Sequence, residues 1–256
     1  MGVITKNAYY GTPPVVTNGL IFYVDFVNPQ SYISGNSIVR DLSVYGYSGS
    51  IISSGSNATP VPVQNGLYFT GSAQTGLGSG GLINFAQFIT APAAALLNVS
   101  IFAFCMPIVS GIQQMVISKD SGISAGSLRD FQLYITSANQ VAVTFYSSIG
   151  DIGQTAGGGP IVPTNQWSYI GGVVNPIGPG GLTAYLNGKV LPTTGIAAGT
   201  GNSSTSPVQI GATSGSTGIF SAFNGYIGAV HIYQRTLSLT EIQQNFNALK
   251  SRYGLT

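Results

Sequence analysis

Six carboxylates are all the acid this chain has: Asp25, Asp41, Asp120, Asp130, Asp151 and Glu241. Eight basic residues, one histidine (His231) and one cysteine (Cys105) complete the set of groups that could do ionic or nucleophilic chemistry. One Cys and one His cannot build a zinc site, which takes four N or S ligands. Gly122-Ile-Ser-Ala-Gly126 has the spacing of a nucleophile elbow, with Asp130 or Asp151 and then His231 following in order. That elbow needs a strand before Ser124 and a helix after it. Lys119 to Arg129 instead reads as a loop between strands, so the match is put down to chance. Gly76-Leu-Gly-Ser-Gly-Gly81 fits the dinucleotide fingerprint in letters only, since no βαβ unit surrounds it. The one place where charges gather is Asp120, Arg129 and Asp130, read as a loop that could bind a ligand.

The composition narrows the classes further. Charged residues make up 5% of the 256, against roughly 25% in typical soluble domains. From Leu42 to Ser118 there is no charged residue and no histidine; Ser, Thr, Asn, Gln and Gly carry the polarity. Aromatic and β-branched residues are too frequent for a disordered chain. The net charge of +2 is scattered, whereas nucleic-acid binding needs clustered Lys and Arg. Cys105 lies in an apolar run and is expected to be a buried small hydrophobe. Phe88 to Val109 is uncharged, but Pro92, Pro107, Asn98 and Ser100 interrupt it and no basic residues flank it. Two buried strands joined by a loop are expected there, not a membrane span.

The elements that must position these residues are mostly strands. Leu20–Phe26 alternates, with Phe22, Val24 and Phe26 on one face. Short runs follow at 66–70, 99–106, 114–118, 131–136, 141–146, 167–174, 182–186, 207–210 and 226–233, separated by Gly, Pro, Asn and Ser clusters. Leu186-Asn-Gly-Lys189 is a hairpin signal, because a type I′ turn needs positive φ at both central residues. A helix closes the chain. Ser238-Leu-Thr-Glu241 forms a capping box, Leu237 and Ile242 a hydrophobic staple, and Ile242, Phe246, Leu249 and Tyr253 one apolar stripe. Lys250 and Arg252 suit its negative end, and Gly254 its C-cap. The fold expected is all-β: an antiparallel sandwich or jelly roll with one C-terminal α-helix packed against it. Residues 1–17 read as an extended arm and 18–256 as the sandwich domain. Met1 to Pro14 holds Lys6 and no apolar core, so no secretory signal is read there.

Several segments together resemble the concanavalin A-like lectin/glucanase superfamily, in its laminin-G-like branch. They are Gly19–Asp25, Asn28–Tyr32, Arg40–Ser43, Thr164–Tyr169, Leu182–Gly188, Gln209–Gly211, Asn224–Gly228 and Ile232–Lys250. The closing Asn245-Phe-Asn-Ala-Leu-Lys-Ser-Arg-Tyr-Gly254 is similar to endings found in tailed-phage structural proteins. The resemblance implies two packed, curved antiparallel sheets, and it places Trp167 at a core strand position. It also brings in glycoside hydrolases, which need two carboxylates about 5–9 Å apart. The alternating Glu and Asp of the glucanase branch are absent here, Glu241 is accounted for as a cap, and Asp25 and Asp41 fall at structural positions. Calcium is a ligand the resemblance leaves open, although the commonly acidic positions after Tyr226-Ile227 are Gly228 and Ala229. Fourteen tyrosines could serve sugars or protein partners equally.

These readings converge on a non-enzymatic phage virion structural protein, a capsid decoration or a tail or fibre component with a lectin-like fold. It would be made in the host cytoplasm, assembled as a homo-oligomer in the particle, and joined to other virion proteins through the arm. A carbohydrate-binding module for host-surface glycans is the alternative, with a glycoside hydrolase behind it. No cofactor, nucleic acid or membrane span is expected.

Overall fold

The computed structural model describes residues 14–54, 59–71, 79–86, 98–120, 129–147, 150–155, 159–174, 181–192, 204–215 and 218–256. The first half of the chain gives β1 (Leu20–Asp25), β2 (Ile38–Arg40), β3 (Ser48–Ser54), β4 (Val61–Val63), β5 (Gly66–Thr70) and β6 (Gly80–Phe85). The middle gives β7 (Val99–Pro107), β8 (Gln114–Asp120), β9 (Arg129–Ile135), β10 (Val141–Ser147), β11 (Gly150–Thr155) and β12 (Ser168–Val174). The remainder gives β13 (Leu182–Leu186), β14 (Lys189–Val190), β15 (Val208–Ile210), β16 (Thr213–Gly215), β17 (Gly218–Phe220) and β18 (Asn224–Tyr233). Helix α1 (Leu239–Leu249) and a 3-10 turn (Lys250–Tyr253) end the chain.

Among the described residues these strands form two eight-stranded antiparallel sheets. The first runs β14-β13-β12-β7-β18-β5-β4, with β1 added beside β18; the second runs β11-β10-β9-β8-β15-β6-β3-β2. Long β18 organises the first sheet. Its early residues pair with β5, its late residues pair with β1, and its other edge takes β7. The two sheets face each other across one apolar core that includes Phe22, Val24, Phe69, Phe85, Ile101, Phe131, Phe145 and Ile232. Complete burial of side chains of this size is the main term favouring the fold, at roughly 1.5–3 kcal/mol each.

A second apolar layer explains the strands that are hydrophobic on both faces. In β7, Val99, Ile101, Ala103 and Cys105 enter the inter-sheet core, while Phe102 and Phe104 turn outward under the helix. This is why the apolar run is continuous rather than alternating. The described part of Phe88 to Val109 is thus one strand buried on both faces; residues 87–97 lie outside the described residues. No helix among the described residues is long and apolar enough to cross a membrane. Cys105 is buried, and desolvation pushes its thiol well up from its ordinary pKa.

The closing helix forms as its sequence specifies. The Ser238 hydroxyl accepts from the Glu241 amide at 3.3 Å, and Glu241 accepts from the Ser238 amide at 2.9 Å. Arg235 grips the same carboxylate with two nitrogens at 2.6 and 2.9 Å. These partners hold Glu241 down at about 2. Ile242, Phe246, Leu249 and Tyr253 are all buried against Phe104, Tyr169 and Tyr233, and Gly254 closes the turn at φ 68°. The Asn187-Gly188 hairpin also forms, with φ of 50° and 73°.

Arg252 behaves differently from the helix-dipole reading. It sits in the 3-10 turn beyond α1 and reaches Asp25 on β1, with Nη1 2.7 and 2.8 Å from the two carboxylate oxygens. Asp25 is fully buried and also accepts from the Tyr23 hydroxyl and the Val27 amide. The pair joins positions 227 apart. Beside it, Gly228 makes room for Tyr253, since a Cβ there would collide with the Tyr253 ring and hydroxyl. The last residues assigned to the arm lie against the same layer. Val16 donates to Asn245 Oδ1 at 2.8 Å, Tyr233 donates to the Val16 carbonyl at 2.9 Å, and Gln244 donates to the Pro14 carbonyl at 2.7 Å. Residues 1–13 lie outside the described residues.

His231 is buried completely in this layer, stacked on Tyr23 at 4.7 Å, and neither ring nitrogen has a hydrogen-bond partner among the described residues. Burial lowers its pKa to about 4. The unfolded chain, with an ordinary imidazole near 6.5, therefore binds the proton that the folded state refuses. Stability from this source is complete above about pH 6.5 and falls as pH drops to about 4. Denaturant unfolding should show a loss of about 2 kcal/mol between pH 7 and pH 5 that His231→Leu abolishes. Removing the cation from buried Asp25 is a harsher change. Arg252→Leu should lower unfolding free energy by about 3–5 kcal/mol, and adding Asp25→Asn should recover much of it in thermal melts.

Candidate functional site

A concavity lies on the outer face of the second sheet. Strands β9 and β10 send Phe131, Leu133, Ile135, Val141, Val143 and Phe145 into the core. The intervening positions face outward, so Gln132 pairs with Thr144 and Tyr134 with Ala142 on the open side. The β16–β17 hairpin rises as a wall over this floor. It is seated by Leu82, Ala212, Ile219 and Ala222, and pinned where the Ser214 amide donates to Gln209 Oε1 at 2.8 Å. Between floor and wall is a groove of about 400 Å³, with Gln132, Tyr134, Thr144 and Tyr146 on one side and Phe220 and Ser221 on the other.

A closed circuit of side chains fixes the end of the floor. Tyr146 donates to Gln132 Oε1 at 3.0 Å, and Gln132 Nε2 donates to Asp120 Oδ2 at 2.5 Å. Arg129 Nε donates to Asp120 Oδ1 at 3.2 Å and lays its guanidinium over the Tyr146 ring, 4.9 Å from the centroid. Each member orients the next, so the Gln132 amide has one defined orientation and Tyr146 one defined position. At the other end Thr144 donates to the Tyr134 hydroxyl at 3.4 Å. The surface is aromatic and amide-rich, with the buried Asp120 paired to Arg129, itself part of the lining. Such a surface can stack on a ring and hydrogen-bond to hydroxyls.

The three residues singled out from sequence are therefore on strand ends rather than in a loop, and they divide. Asp120 and Arg129 belong to the circuit. Asp130 turns away, forming a buried ion pair with Lys119 Nζ at 2.5 Å and accepting from the Ser204 amide at 2.8 Å. Burial pushes the Asp130 pKa up while Lys119 pulls it down. Ser124 of the elbow spacing lies outside the described residues, as do 76–78 of the Gly76–Gly81 run, whose last two residues open β6. Gln132, Tyr134, Thr144 and Tyr146 were missed. Their signal was present as the polar or aromatic positions alternating with the core residues of β9 and β10.

Asp41, Asp25 and Glu241 have structural partners. Asp41 accepts four hydrogen bonds, from the Tyr23, Ser43 and Tyr47 amides and the Ser43 hydroxyl, and so fixes the turn into β3. Asp25 and Glu241 are held by Arg252 and Arg235. Asp151 lies on β11. Among the described residues no three His, Cys, Asp or Glu gather as a metal site. The acidic position that the resemblance offered to calcium is Gly228, under Tyr253. Trp167 is half-buried in the helix-side layer, 4.5 Å from Tyr253, instead of between the sheets.

A family model described as the concanavalin A-like lectin/glucanases superfamily matches residues 84–243. No curated protein matches the chain. Among solved structures, the binding domain of Paraclostridial Mosquitocidal Protein 1 superposes with a TM-score of 0.62 at 14% identity, over 93% of this chain and 56% of that one. The binding domain of botulinum neurotoxin DC in complex with SialylT gives 0.59 at 17% identity, over 91% and 52%. A structure of botulinum neurotoxin type C, whose cell entry is dependent upon interaction with two ganglioside molecules, gives 0.59 at 14% identity, again over 91% and 52%. The chain spans about half the length of these structures, and at such identities the likeness is one of fold. With a two-sheet sandwich in the structure and well over half of its length matched by the family model, the chain belongs to the concanavalin A-like lectin/glucanase superfamily.

Proposed function

We propose that the protein is a non-catalytic glycan-binding sandwich whose groove on the second sheet receives the sugar. The observation that carries this reading is the circuit of Arg129, Asp120, Gln132 and Tyr146, which fixes the orientation of a largely buried amide and aromatic ring in the lining of the groove. Pre-orientation lowers the ordering cost that weakens binding to flexible polar surfaces. Binding domains of toxins with the same fold, one solved with SialylT, support the reading. The commitment of Asp25, Asp41, Asp120, Asp130 and Glu241 to structural partners favours binding over hydrolysis, which needs two carboxylates available across a scissile bond.

The setting we propose is the particle of a tailed phage, as a capsid decoration or a tail or fibre component present in several copies. The ending Asn245–Gly254 and the charge-poor body favour that setting. Residues 1–13 would then join a neighbouring virion protein. Calcium is not assigned a role.

Two measurements test these readings. On a glycan array followed by calorimetry, the wild-type chain should bind at least one oligosaccharide, and Tyr134→Ala should weaken that binding about tenfold, or ~1.4 kcal/mol. The thermal midpoint should change little, because Tyr134 is only partly buried. Absence of any binding at millimolar sugar would reject the glycan reading. Mass spectrometry of purified particles should find the protein, and deletion of residues 1–13 should reduce its incorporation; recovery only in host fractions would reject the virion setting.

A further inference from the structure

The first sheet carries a second surface that the groove does not use. Beyond the end of the helix layer, one cross-strand row runs over its outer face. Met106 on β7 pairs with Tyr226 on β18, Tyr226 with Tyr68 on β5, and Tyr68 with Val61 on β4. These side chains point away from the inter-sheet core, because their chain neighbours Cys105, Ile227, Leu67 and Phe69 fill it. Trp167 extends the row toward the helix. Its ring lies 6.3 Å from that of Tyr226, which lies 4.9 Å from that of Tyr68. The three rings are half-buried, and Val61 at the far end is 50% exposed. The row contains no charge.

The polar ends of these rings distinguish among occupants. Among the described residues, the Tyr68 and Tyr226 hydroxyls and the Trp167 indole N–H have no hydrogen-bond partner. An apolar protein surface laid on the row would bury three unsatisfied polar groups, each costing about 1–3 kcal/mol. An anionic partner would lose hydration with no cation in the row to replace it. A chain of neutral sugar rings avoids both costs: its C–H faces cover the aromatic rings and its hydroxyls meet the phenols and the indole. We infer that this row is a second carbohydrate platform, taking an extended neutral oligosaccharide along Trp167, Tyr226 and Tyr68. It does not depend on the groove, which lies on the outer face of the opposite sheet.

Trp167 is the only tryptophan in the chain, so its emission reports this face. Neutral hexose and N-acetylhexosamine oligomers, titrated into the intact chain, should change that emission saturably. Tyr68→Ala and Tyr226→Ala should each weaken the response about tenfold or more, whereas the groove variant Tyr134→Ala should leave it unchanged. Trp167→Phe should keep binding that calorimetry can follow without the optical signal. No emission change at millimolar oligomer, or a change indifferent to Tyr68→Ala, would overturn the inference. So would self-association in sedimentation that Tyr68→Ala abolishes without any response to sugar, since the row would then join copies of the chain.

Discussion

The pairing of Asp25 with Arg252 is the constraint on which the helix-side layer depends. It places the turn after α1 against the first strand, in a site where neither charge can be left alone without a cost of several kcal/mol. Once that turn is fixed, Tyr253 has one place to lie, over Gly228, and Trp167 packs against Tyr253. The helix between Ser238 and Arg252 is then held at both ends: at its start by the capping box and Arg235, at its finish by Asp25. The segment 14–17 completes the layer through Asn245 and Tyr233. Burial of His231 follows from the same closure and makes the layer sensitive to acid.

Scarcity of charge shapes the chemistry available to the molecule. The carboxylates Asp25, Asp41, Asp120, Asp130 and Glu241 each hold together parts of the chain: strand to turn, loop to strand, strand end to strand end, or cap to helix. The groove is lined by amides, hydroxyls and aromatic rings, with Asp120 buried beneath and the Arg129 side chain, 24% exposed, among the lining. Such a surface discriminates by hydrogen-bond geometry and shape.

Much of the fold was legible because it rests on local signals. The period-two runs at 66–70 and 182–186 mark β5 and β13 to the residue, the Asn187-Gly188 turn takes its expected dihedrals, and the helix follows its cap and stripe. Strands such as β3, with Ser48, Ser50, Ser53 and Ser54, lacked a signal because pairing on both edges, with neighbouring β2 and with the more distant β6, makes them strands. The site was half legible. Asp120 and Arg129 were visible as a charge cluster, whereas Gln132 and Tyr146 are ordinary residues that gain meaning only when β9 and β10 pair. Arg252 shows the same limit. Its sequence position suited a helix dipole, and its partner lies at the other end of the chain.

Strand β18 carries a kinetic consequence. Among the described residues it is the last strand in sequence, yet it pairs with β1, β5 and β7, so the first sheet cannot close until all the strands before it have been made. Pairings of such high contact order form slowly, and until they do β5 and β7 present open edges to other chains. Copies of the chain are thus most exposed to mispairing until β18 settles the sheet.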